Sequence, residues 1–379
     1  MICSRCIYTS DIPDITFDKH GVCNYCNQID SLVVEYGTGT RLGEEKLQDI
    51  ISDIKKKGER KKYDCVIGLS GGTDSSYLLM KACDWGLRPL AVHYDNTWNS
   101  AVATQNIRVI TSNLGVDLYT YVVDNKEHDS IKLAYMKAGV QEFDTDTDLA
   151  FVQVLRSAAA KFGVTFILEG HSFMEEGISP ASNNYFDGAY IVDIVRRFGA
   201  MRLRSYPLMS FWQFMKWVLA YRQRFIRPLW YISFSKTEAQ IELAERTGWS
   251  AYSGHHLENR ASAFAHDVWI PRKFGMDYRI LTLAAKARNG EISRDEALAQ
   301  YAAPRQQNPE LEEYVRKRLG LNLCEYQDLL LGEKRTWKQF RTYKRRFERL
   351  RPMFYVLAKA NLIPMSFYLK YCFPVKAPQ

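Results

Sequence analysis

Between residues 63 and 172, short apolar runs alternate with segments whose apolar residues recur at helical spacing. The apolar runs predict four strands, at residues 63–69, 89–94, 116–123 and 165–168, of which the first is predicted to be buried. The helical patterns are clearest at residues 103–114 and 152–162, where Gly115 and Gly163 directly follow the last apolar turn. This alternation favours an α/β fold, a doubly wound parallel sheet with helices packed on both faces.

The first predicted strand leads into a glycine turn and then into a helix. Residues 70–75 have the sequence Ser-Gly-Gly-Thr-Asp-Ser, and a helix is predicted from Ser76 to Asp84. At such a junction the backbone N–H groups point outward and the helix dipole favours negative charge, so the turn is a candidate anion site. It differs from the kinase-type phosphate loop because no Lys follows the glycines. A tight turn without a ligand is the alternative interpretation.

Polar residues also follow the second and fourth predicted strands, where a doubly wound sheet binds its ligands. They are His93, Asp95, Asn96, Trp98 and Asn99 after the second strand and Glu169, His171, Glu175 and Glu176 after the fourth. Any one of them could be an ordinary loop residue. Because polar clusters follow three strand ends, including residues 70–75, a shared site is the favoured interpretation.

Four cysteines near the N-terminus have the spacing of a metal site. They are Cys3, Cys6, Cys23 and Cys26, two Cys-x-x-Cys pairs with 16 residues between them. Two such pairs close a tetrahedron around Zn²⁺, and four thiolates fill its coordination shell, so a structural zinc is predicted. Residues 1–30 have too few apolar side chains for a core of their own, and the metal would supply folding energy. Two disulfides are the alternative.

Three further segments have helical patterns. Residues 31–62 are predicted to form a linker helix with Leu47, Ile50, Ile51 and Ile54 on its apolar face. The aromatic segment 205–234 is predicted to be a buried helix pair with Trp212, Met215 and Leu219 on one face, and a partner-binding surface is the alternative. Residues 301–379 are basic and helical in pattern; a solvated helix face and a nucleic-acid or membrane surface remain alternatives.

Composition narrows the class of protein. The 379 residues are 46% hydrophobic and 25% charged, as in an ordinary globular protein of two or three domains. A net charge of +8 suits anionic ligands without selecting one. We find no apolar run of about 18 residues and no signal sequence, so we expect a cytoplasmic, reducing location. The predicted division is a zinc module at 1–30, a linker at 31–62, a nucleotide domain at 63–300 and a basic helical region at 301–379.

The motifs together resemble a known family. The Ser-Gly-Gly-x-Asp-Ser turn resembles the pyrophosphate loop of N-type ATP pyrophosphatases. The cysteine module, this loop, the block Gly-Trp-x-x-Tyr-x-Gly-x-His from Gly248 and the block Pro-x-Lys-Phe-Gly-x-Asp-x-Arg from Pro271 are similar to those of N-acetyl sugar amidotransferases of bacterial O-antigen and surface-polysaccharide biosynthesis. The resemblance covers roughly residues 1–300. It implies a sheet of the adenine-nucleotide pyrophosphate-loop type.

The resemblance also implies a reaction. ATP would adenylate the acetamido oxygen of a nucleotide-linked sugar, a UDP-diacetamido uronic acid in the O-antigen members, and ammonia would displace AMP to leave an acetamidino sugar. The chemistry is reasonable because an amide carbon is a poor electrophile and oxide is a poor leaving group, whereas an AMP ester corrects both. Donors fixed in the loop would stabilise the charge of the pyrophosphate that leaves.

Carried over by position, the family implies roles for individual residues. The ATP and pyrophosphate site would comprise Gly68, Leu69, Ser70, Gly71, Gly72, Asp74, Ser75, Ser76, His93 and Gly170, with Mg²⁺ near Asp74. We expect Lys273, with Arg272 behind it, to neutralise phosphate charge from the distal block. Candidates for sugar contact or proton transfer are Asn96, Trp98, Glu169, His171 and His255.

The sequence also bears on the source of ammonia and on two alternative functions. The sequence has no Gly-x-Cys-x-Gly nucleophile elbow, so we expect a separate glutaminase subunit, which the family suggests is histidine-biosynthesis-like with a cyclase-like companion. The main rival is a tRNA-modifying enzyme with the same loop, a thiolase or a lysidine-type ligase, although Cys65 and Cys83 are poorly placed for thiolation. A second rival is a nucleotide-binding scaffold without catalysis. Nucleic acid is not the partner we expect.

Overall fold

The computed structural model describes residues 1–177, 185–251, 258–305, 308–360 and 362–374. Its centre is a five-stranded parallel sheet with strand order β3-β2-β1-β4-β5. The strands are β1 Cys65–Gly68, β2 Pro89–Asp95, β3 Leu118–Val122, β4 Phe166–Leu168 and β5 Arg224–Ile226. The predicted α/β class with a parallel sheet is confirmed.

Helices cover both faces of the sheet. The helices that precede β5 in the chain are α1 Asn24–Tyr36, α2 Arg41–Gly58, α3 Thr73–Asp84, α4 Ala101–Leu114, α5 Asn125–Ala138, α6 Thr145–Lys161, α7 Phe173–Glu176, α8 Gly188–Phe198 and α9 Phe211–Leu219. Those that follow β5 are α10 Lys236–Thr247, α11 Arg260–Phe264, α12 Arg279–Asn289, α13 Arg294–Ala302, α14 Pro309–Arg318, α15 Leu323–Leu331, α16 Lys344–Arg349, α17 Arg351–Lys359 and α18 Met365–Tyr371. A π-helical segment, Ala265–Phe274, continues α11.

The pleat of β1 divides the core into two layers. Cys65 and Ile67 belong to the apolar cluster under α2, α3, α4 and α10, whereas Val66 belongs to the larger cluster under α5, α6 and α8. Successive side chains of a strand point to opposite faces, so a continuous apolar run is required when both faces are covered. The buried-strand prediction for residues 63–69 followed from that run. In the structure, β1 lies in the middle of the sheet.

The aromatic segment 205–234 differs from its prediction. It contains one helix, α9, followed by the fifth strand β5 and a short 3₁₀ turn. The predicted face was wrong: Trp212 is 74% and Leu219 is 49% exposed. The buried face is Phe211, Phe214, Met215 and Val218, which packs against α16, α17 and α18. The helical spacing of apolar residues in α9 is consistent with either face being buried. The apolar residues of α16, α17 and α18 pack against this one.

The N-terminal region also differs from a single linker. Residues 31–62 contain the end of α1 and the whole of α2, and α1 begins directly after Cys23. Leu47, Ile51 and Ile54 are buried on α2, as predicted. The cysteine module shares one apolar cluster with Ile280, Leu283 and Ala297 of α12 and α13. Its packing therefore depends on residues almost 300 positions away in the sequence.

The C-terminal helices are distributed over two cores. Helices α14 and α15 contribute Leu311, Val315, Tyr326 and Leu330 to the main cluster, and α16–α18 pack with α9. Within the part of the chain that the structure describes, no helix has the length and apolar character needed to cross a membrane.

A buried ion network joins α5 to the N-terminus of α6. The Nζ atom of Lys132 donates to Asp144 Oδ1 at 2.6 Å and to Asp146 Oδ1 at 2.7 Å, and Lys132 and Asp146 are fully buried. Tyr206 Oη donates to Asp146 Oδ2 at 2.8 Å. Desolvation lowers the pKa of Lys132, but the two carboxylates outweigh it and the pKa is raised. The network is therefore ionised and holds the start of α6 beside β2.

We expect Lys132→Met to lower the free energy of unfolding by about 3–5 kcal/mol, because it leaves buried carboxylates without their cation. Urea denaturation would measure this. Lys126→Met, at an exposed position of the same helix, should change the free energy by no more than about 0.5 kcal/mol. Equal effects of the two substitutions would contradict the assignment of this network to stability.

Candidate functional site

The glycine turn after β1 leaves the N-terminus of α3 open. Gly72 is the N-cap residue, and no side chain caps the helix. Among the described residues, the first N–H group of α3 with an intrachain acceptor is that of Ser76, which donates to Gly72 O at 3.1 Å. The N–H groups of Thr73, Asp74 and Ser75 therefore have no acceptor within the described ranges and are available to an anion, and the helix dipole adds to the attraction.

Close backbone packing gives the turn its shape. Gly71 has a φ of +84°, and a Cβ atom there would lie 2.3 Å from Ala103 O. A Cβ atom at Gly170 would lie 2.8 Å from the backbone of Asp74. Side chains must be absent at both positions, because α4 and the loop after β4 approach the turn directly. Ser70 Oγ and Ser75 Oγ are 3.1 Å apart and link the two ends of the turn.

The distal Gly-Trp block contributes to the same turn. Trp249 Nε1 donates to Gly71 O at 3.0 Å, and Asn106 Nδ2 donates to the same oxygen at 3.3 Å. Both donors are buried side chains, so they also hold Gly71 in its left-handed conformation. The block from Gly248 therefore supports the turn from behind. Its residues 252–257, which include the sugar-contact candidate His255, lie outside the described residues.

A cavity of about 430 Å³ opens in front of the turn. Its walls come from the carboxyl ends of β1 and β4 and from the helices α3, α6 and α10. Of the predicted site residues, it is lined by Gly68, Ser70, Gly72, Asp74, Ser75, Glu169, Gly170 and His171. Of residues to which sequence analysis gave no role, it is also lined by Asp148, Arg227, Lys236, Gln240 and Glu258.

A lysine and two carboxylates stand beside the open helix end. Lys236 Nζ lies 3.5 Å from Asp74 Oδ2, and Asp74 Oδ1 is buried without a hydrogen-bond partner among the described residues. Desolvation raises the pKa of Asp74, although Lys236 opposes the shift. Burial and the charge of Asp74 raise the pKa of Glu176 to about 8. Desolvation lowers the pKa of Lys236, but these carboxylates outweigh it, so Lys236 stays cationic.

Lys236 was missed by sequence analysis, although a local signal marks its position. Ser235 Oγ accepts from Glu238 N at 3.4 Å, and Lys236 is thereby the first residue of α10. Glu175, one of the polar residues predicted to follow the fourth strand, accepts from Lys236 N at 3.0 Å. A capping box identifies the first residues of a helix, and its side chains project toward whatever the helix end faces. The sequence did not reveal which element the N-terminal end of α10 faces.

The floor of the cavity carries a neutral histidine and an ion pair. Arg227 Nε donates to Glu169 Oε2 at 2.9 Å. Trp230 Nε1 donates to His171 Nδ1 at 3.2 Å, which leaves the histidine proton on Nε2, 3.4 Å from Glu176. Burial, followed by the charge of Arg227, lowers the pKa of His171 to about 4. His171 is therefore a neutral hydrogen-bond donor at pH 7.

Asp148 is a further acid that sequence analysis missed. It projects from the first turn of α6 into the cavity, two residues after Asp146 of the ion network. Desolvation, followed by repulsion from Asp144, raises the pKa of Asp148 to about 7. The run Asp144-Thr-Asp146-Thr-Asp148 was the available signal. Acidic residues are common in the first turn of a helix, so the run did not distinguish a functional carboxylate.

The structure does not bring the distal basic residues to the turn. Lys273 Nζ donates to Leu329 O at 2.6 Å and to Gly332 O at 3.0 Å, at the C-terminal end of α15. Arg272 pairs with Glu312. The expectation that Lys273 and Arg272 face the phosphates was therefore wrong. Free carbonyl groups at a helix end attract a cation, and they satisfy Lys273 in place of a ligand.

Two residues that were predicted to contact the sugar are bonded to other protein groups instead. Trp98 is fully buried, its Nε1 donates to Asp129 Oδ1 at 2.8 Å, and the guanidinium group of Arg318 lies 4.3 Å from its ring. Asn96 is buried and accepts from Trp98 N at 3.0 Å. Both side chains shape the turn after β2 and do not line the cavity, so the expectation of sugar contact was wrong for them.

Three predicted nucleotide residues lie behind the turn. Leu69 is buried, and its N–H group donates to Val92 O at 2.8 Å. His93 Nδ1 lies 3.0 Å from Leu69 O, and Asn99 Nδ2 donates to His93 Nε2 at 3.3 Å, so His93 donates from Nδ1. Burial lowers the pKa of His93. Ser76 is fully buried. These residues support the strand end, and a role in ATP contact stays a prediction.

The four cysteines converge on one point. Their sulfur atoms lie within 4.8 Å of one another and all four side chains are fully buried. Cys3 Sγ and Cys26 Sγ are 3.9 Å apart, and Cys6 Sγ and Cys23 Sγ are 3.8 Å apart. A tetrahedral metal with sulfur at about 2.3 Å requires sulfur–sulfur distances of about 3.8 Å, so the residues fit such an ion.

The surroundings of the cysteine centre suit thiolate ligands. The backbone N–H groups of Arg5 and Cys23 donate to Cys3 Sγ at 3.4 and 3.3 Å. Arg288, buried on α12, donates from Nε to Cys26 Sγ at 3.4 Å. Four thiolates around a divalent ion carry a net charge of about −2, and these donors offset it.

We expect Lys236→Met to weaken ATP binding about tenfold or more, because a charge-assisted contact to phosphate is lost. Lys273→Met is the matched control and should lower the melting temperature while leaving the affinity for ATP unchanged. Calorimetric titration with a non-hydrolysable ATP analogue measures both. Weaker ATP binding by the Lys273 variant alone would favour the phosphate role first expected of that residue.

We expect one metal ion per chain, and Cys23→Ser should lose it and lower the melting temperature, because the module has little core of its own. Elemental analysis and thermal denaturation would test this, with Cys324→Ser as the control, since Cys324 is exposed and lies outside the cysteine centre. Full metal content in the Cys23 variant would contradict a four-thiolate site.

Comparisons with known proteins give a curated relative, similar solved structures and a family match to one segment of the chain. The chain is 26% identical over 189 residues to the uncharacterized protein MJ1599 of Methanocaldococcus jannaschii; the match covers 47% of this chain and 65% of that protein, just under two thirds of its length. Similar solved structures include an NMN synthetase from Francisella tularensis (15% identity, 73% of this chain and 91% of that chain, TM-score 0.37). They also include an NH3-dependent NAD synthetase from Campylobacter jejuni (13% identity, 77% of this chain and 98% of that chain, TM-score 0.33).

A third similar structure is the U34-tRNA thiolase NcsA from Methanococcus maripaludis with its [4Fe-4S] cluster (11% identity, 90% of this chain and 99% of that chain, TM-score 0.34). A family model gives the more specific finding. It matches the segment from Glu258 in the cavity wall, through the π-helical segment and α12–α15, to the start of α17. Residues 258–352 of this chain are matched by the C-terminal domain of WbpG-like LPS biosynthesis proteins.

Proposed function

We propose that this protein is an ATP-dependent, AMP-forming carbon–nitrogen ligase that converts an acetamido group of a nucleotide-linked N-acetyl sugar into an acetamidino group during lipopolysaccharide biosynthesis. The observation that carries the proposal is the open N-terminus of α3 facing a cavity that also holds Lys236 and Asp74. The WbpG-like match over residues 258–352 supports the biosynthetic context.

The first step is transfer of AMP from ATP. The free N–H groups of Thr73, Asp74 and Ser75 would bind the phosphates that leave as pyrophosphate, and Lys236 would neutralise their charge. Asp74 would hold a Mg²⁺ ion, since Asp74 Oδ1 is buried without a hydrogen-bond partner among the described residues, and the ion would supply positive charge to offset that of the phosphates. The acetamido oxygen attacks the α-phosphorus, the bond to the β-phosphate oxygen breaks, and pyrophosphate remains against α3.

The second step exchanges oxygen for nitrogen. Ammonia attacks the amide carbon of the AMP ester, its nitrogen loses a proton, and the carbon–oxygen bond breaks to release AMP. Asp148 is our candidate to accept that proton, because it lines the cavity and has a pKa raised to about 7. His171, neutral and donating from Nε2, is the candidate to hold the acceptor in place.

We further infer that the metal in the cysteine centre is a structural Zn²⁺. Four thiolates at tetrahedral distances leave no coordination position for a substrate. The centre lies against α12, and Asn289 at the end of α12 donates from Nδ2 to Met174 O at 2.7 Å in α7. Because α7 carries Glu176, the metal would brace one wall of the cavity without taking part in the chemistry.

Ammonia is proposed to come from a separate glutaminase subunit of the histidine-biosynthesis type, with a cyclase-like companion, in the cytoplasm. Ammonium has no lone pair with which to attack, so a protected supply of ammonia is advantageous. The eight cysteines, all within the described residues, support this view: four belong to the metal centre, Cys65 and Cys372 are buried, and the half-buried Cys83 of α3 and the exposed Cys324 of α15 lie inside helices and lack the glycines of a nucleophile elbow.

The tRNA-thiolase alternative is the less favoured function. Thiolation that passes sulfur through a cysteine requires a reactive thiolate near the adenylated base, and burial raises the pKa of both Cys65 and Cys83. These two cysteines would remain thiols at neutral pH, and neither lines the cavity.

The direct test incubates the protein with ATP, Mg²⁺, ammonium and a panel of UDP- and CMP-linked N-acetyl sugars. We expect AMP and pyrophosphate in equal amounts and a sugar product whose mass differs by the exchange of O for NH, measured by chromatography and mass spectrometry. Formation of ADP, or tRNA as the only acceptor, would overturn the proposal.

In parallel reactions glutamine should replace ammonium only when the glutaminase subunit is added. Use of glutamine by this chain alone would contradict a separate partner.

A further inference from the structure

Helix α17 has apolar side chains on its outer face as well as on its inner face. Phe354, Leu357 and Ala358 are buried in the core that α16, α17 and α18 form with α9. Tyr355 and Val356 point away from that core and are 45% and 64% exposed. A helix that is apolar all round is normally covered on every side. The described residues therefore leave part of the apolar surface of α17 uncovered.

Helix α18 extends this outer face into a larger patch. Leu369 is 56% exposed, and the neighbouring Tyr368 is half-buried. The centre of the Tyr368 ring lies 5.5 Å from that of Tyr355 and 5.2 Å from that of Phe373. We call Tyr355, Val356, Tyr368, Leu369 and Phe373 the outer patch, and it spans both helices. Contiguous exposed apolar side chains of this kind mark a surface that binds another surface.

Basic side chains border the outer patch. The guanidinium group of Arg351 lies 5.2 Å from the ring centre of Phe373, and Lys359 Nζ lies 5.7 Å from that of Tyr355. Both basic residues are exposed, and within the described ranges neither forms an ion pair. Long basic side chains cover apolar surface with their methylene groups and keep their charge at the edge of it. The border is therefore positively charged and available to an anion.

The segment that contains the outer patch is also strongly basic. Residues 341–373 contain eight Lys and Arg residues but one acidic residue, Glu348, which pairs with a buried lysine of the same helix. The exposed basic residues of the preceding helix α16 are Arg345, Arg346 and Arg349. Positive charge around an apolar patch is complementary to a surface that is anionic outside and apolar inside, which is the character of a bilayer with acidic lipids.

We propose that the outer patch docks this protein onto an anionic lipid bilayer, with α17 and α18 in the headgroup region. In this arrangement Val356 and Leu369 enter the boundary of the acyl chains, the tyrosine rings lie at the level of the headgroups, and Arg351 and Lys359 contact lipid phosphates.

Two observations favour a lipid surface over other occupants of the outer patch. Its exposed aliphatic side chains suit acyl chains, whereas single-stranded nucleic acid is bound by stacking of its bases on flat rings. A second copy of the chain would bring two strongly basic segments together, and like charges repel. The basic and aromatic pattern of the C-terminal region is thereby explained by one surface.

The test is co-sedimentation of the full-length protein with vesicles of equimolar phosphatidylcholine and phosphatidylglycerol, compared with vesicles of phosphatidylcholine alone. We expect binding to the anionic vesicles that is about tenfold tighter or more, because each basic residue near the surface adds to the attraction. A higher salt concentration should weaken this binding, since salt screens charges at a surface.

Two double variants separate the apolar from the basic contribution. Val356→Ser with Leu369→Ser should weaken binding about tenfold, because apolar area no longer enters the bilayer. Arg351→Gln with Lys359→Gln should weaken binding about tenfold and reduce its dependence on salt. Leu331→Ser is the matched control and should bind as the wild-type protein does, because Leu331 of α15 is 84% exposed and lies outside the outer patch. Melting temperatures identify any variant that fails to fold.

Absence of vesicle binding by the wild-type protein, equal binding to both kinds of vesicle, or unchanged binding in both double variants would overturn the inference. Light scattering and titration with a single-stranded RNA test the other occupants. Dimerisation or RNA binding that the Val356 and Leu369 double variant abolishes, without a change in vesicle binding, would assign the outer patch to that occupant instead. The vesicle assay contains no ATP or sugar, so its outcome does not bear on the proposed reaction.

Discussion

The open N-terminus of α3 is the constraint on which the rest of the site depends. Backbone N–H groups can bind phosphate only if no side chain occupies the approach and no intrachain acceptor uses them first. Gly71 and Gly170 meet the first condition, because Cβ atoms at these positions would collide with Ala103 O and with the backbone of Asp74. Gly72 at the N-cap meets the second, because it has no side chain that could cap the helix. The buried donors Trp249 and Asn106 hold this arrangement through Gly71 O.

Basic, acidic and neutral titratable side chains surround the N-terminus of α3. Lys236 lies 3.5 Å from Asp74 and stays cationic, and burial with the charge of Asp74 raises the pKa of Glu176 to about 8. Desolvation keeps His171 neutral and raises the pKa of Asp148 to about 7. Groups with separated pKa values in one cavity are what a proton-transfer step requires.

Distant parts of the chain meet at this site through packing. The cysteine centre shares a core with α12 and α13, and α12 is bonded through Asn289 to α7, which carries Glu176. The C-terminal helices α16 and α18 line a second cavity, of about 360 Å³, which shares Asp148 with the cavity in front of the glycine turn. The segment matched by the WbpG-like family model, residues 258–352, includes α12 and α13 on one side and α16 on the other. The walls of the two cavities thus come from the sheet, its helices and the C-terminal helices, whereas the first thirty residues pack behind α12 and do not line either cavity.

Much of the fold and half of the site could be predicted because the responsible signals are local. The apolar runs, the glycine turn and the Cys-x-x-Cys pairs express backbone geometry and coordination chemistry that neighbouring residues determine by themselves. Lys236, Asp148 and Arg227 could not be found this way, since each is an ordinary residue of a helix start or a loop until another element is packed opposite it. The misassignment of Lys273 and Trp98 has the same cause: their partners, the end of α15 and Arg318, are far away in the sequence. The sequence alone determined where a phosphate could bind and where a metal could be held, whereas only the tertiary structure decided which side chains surround them.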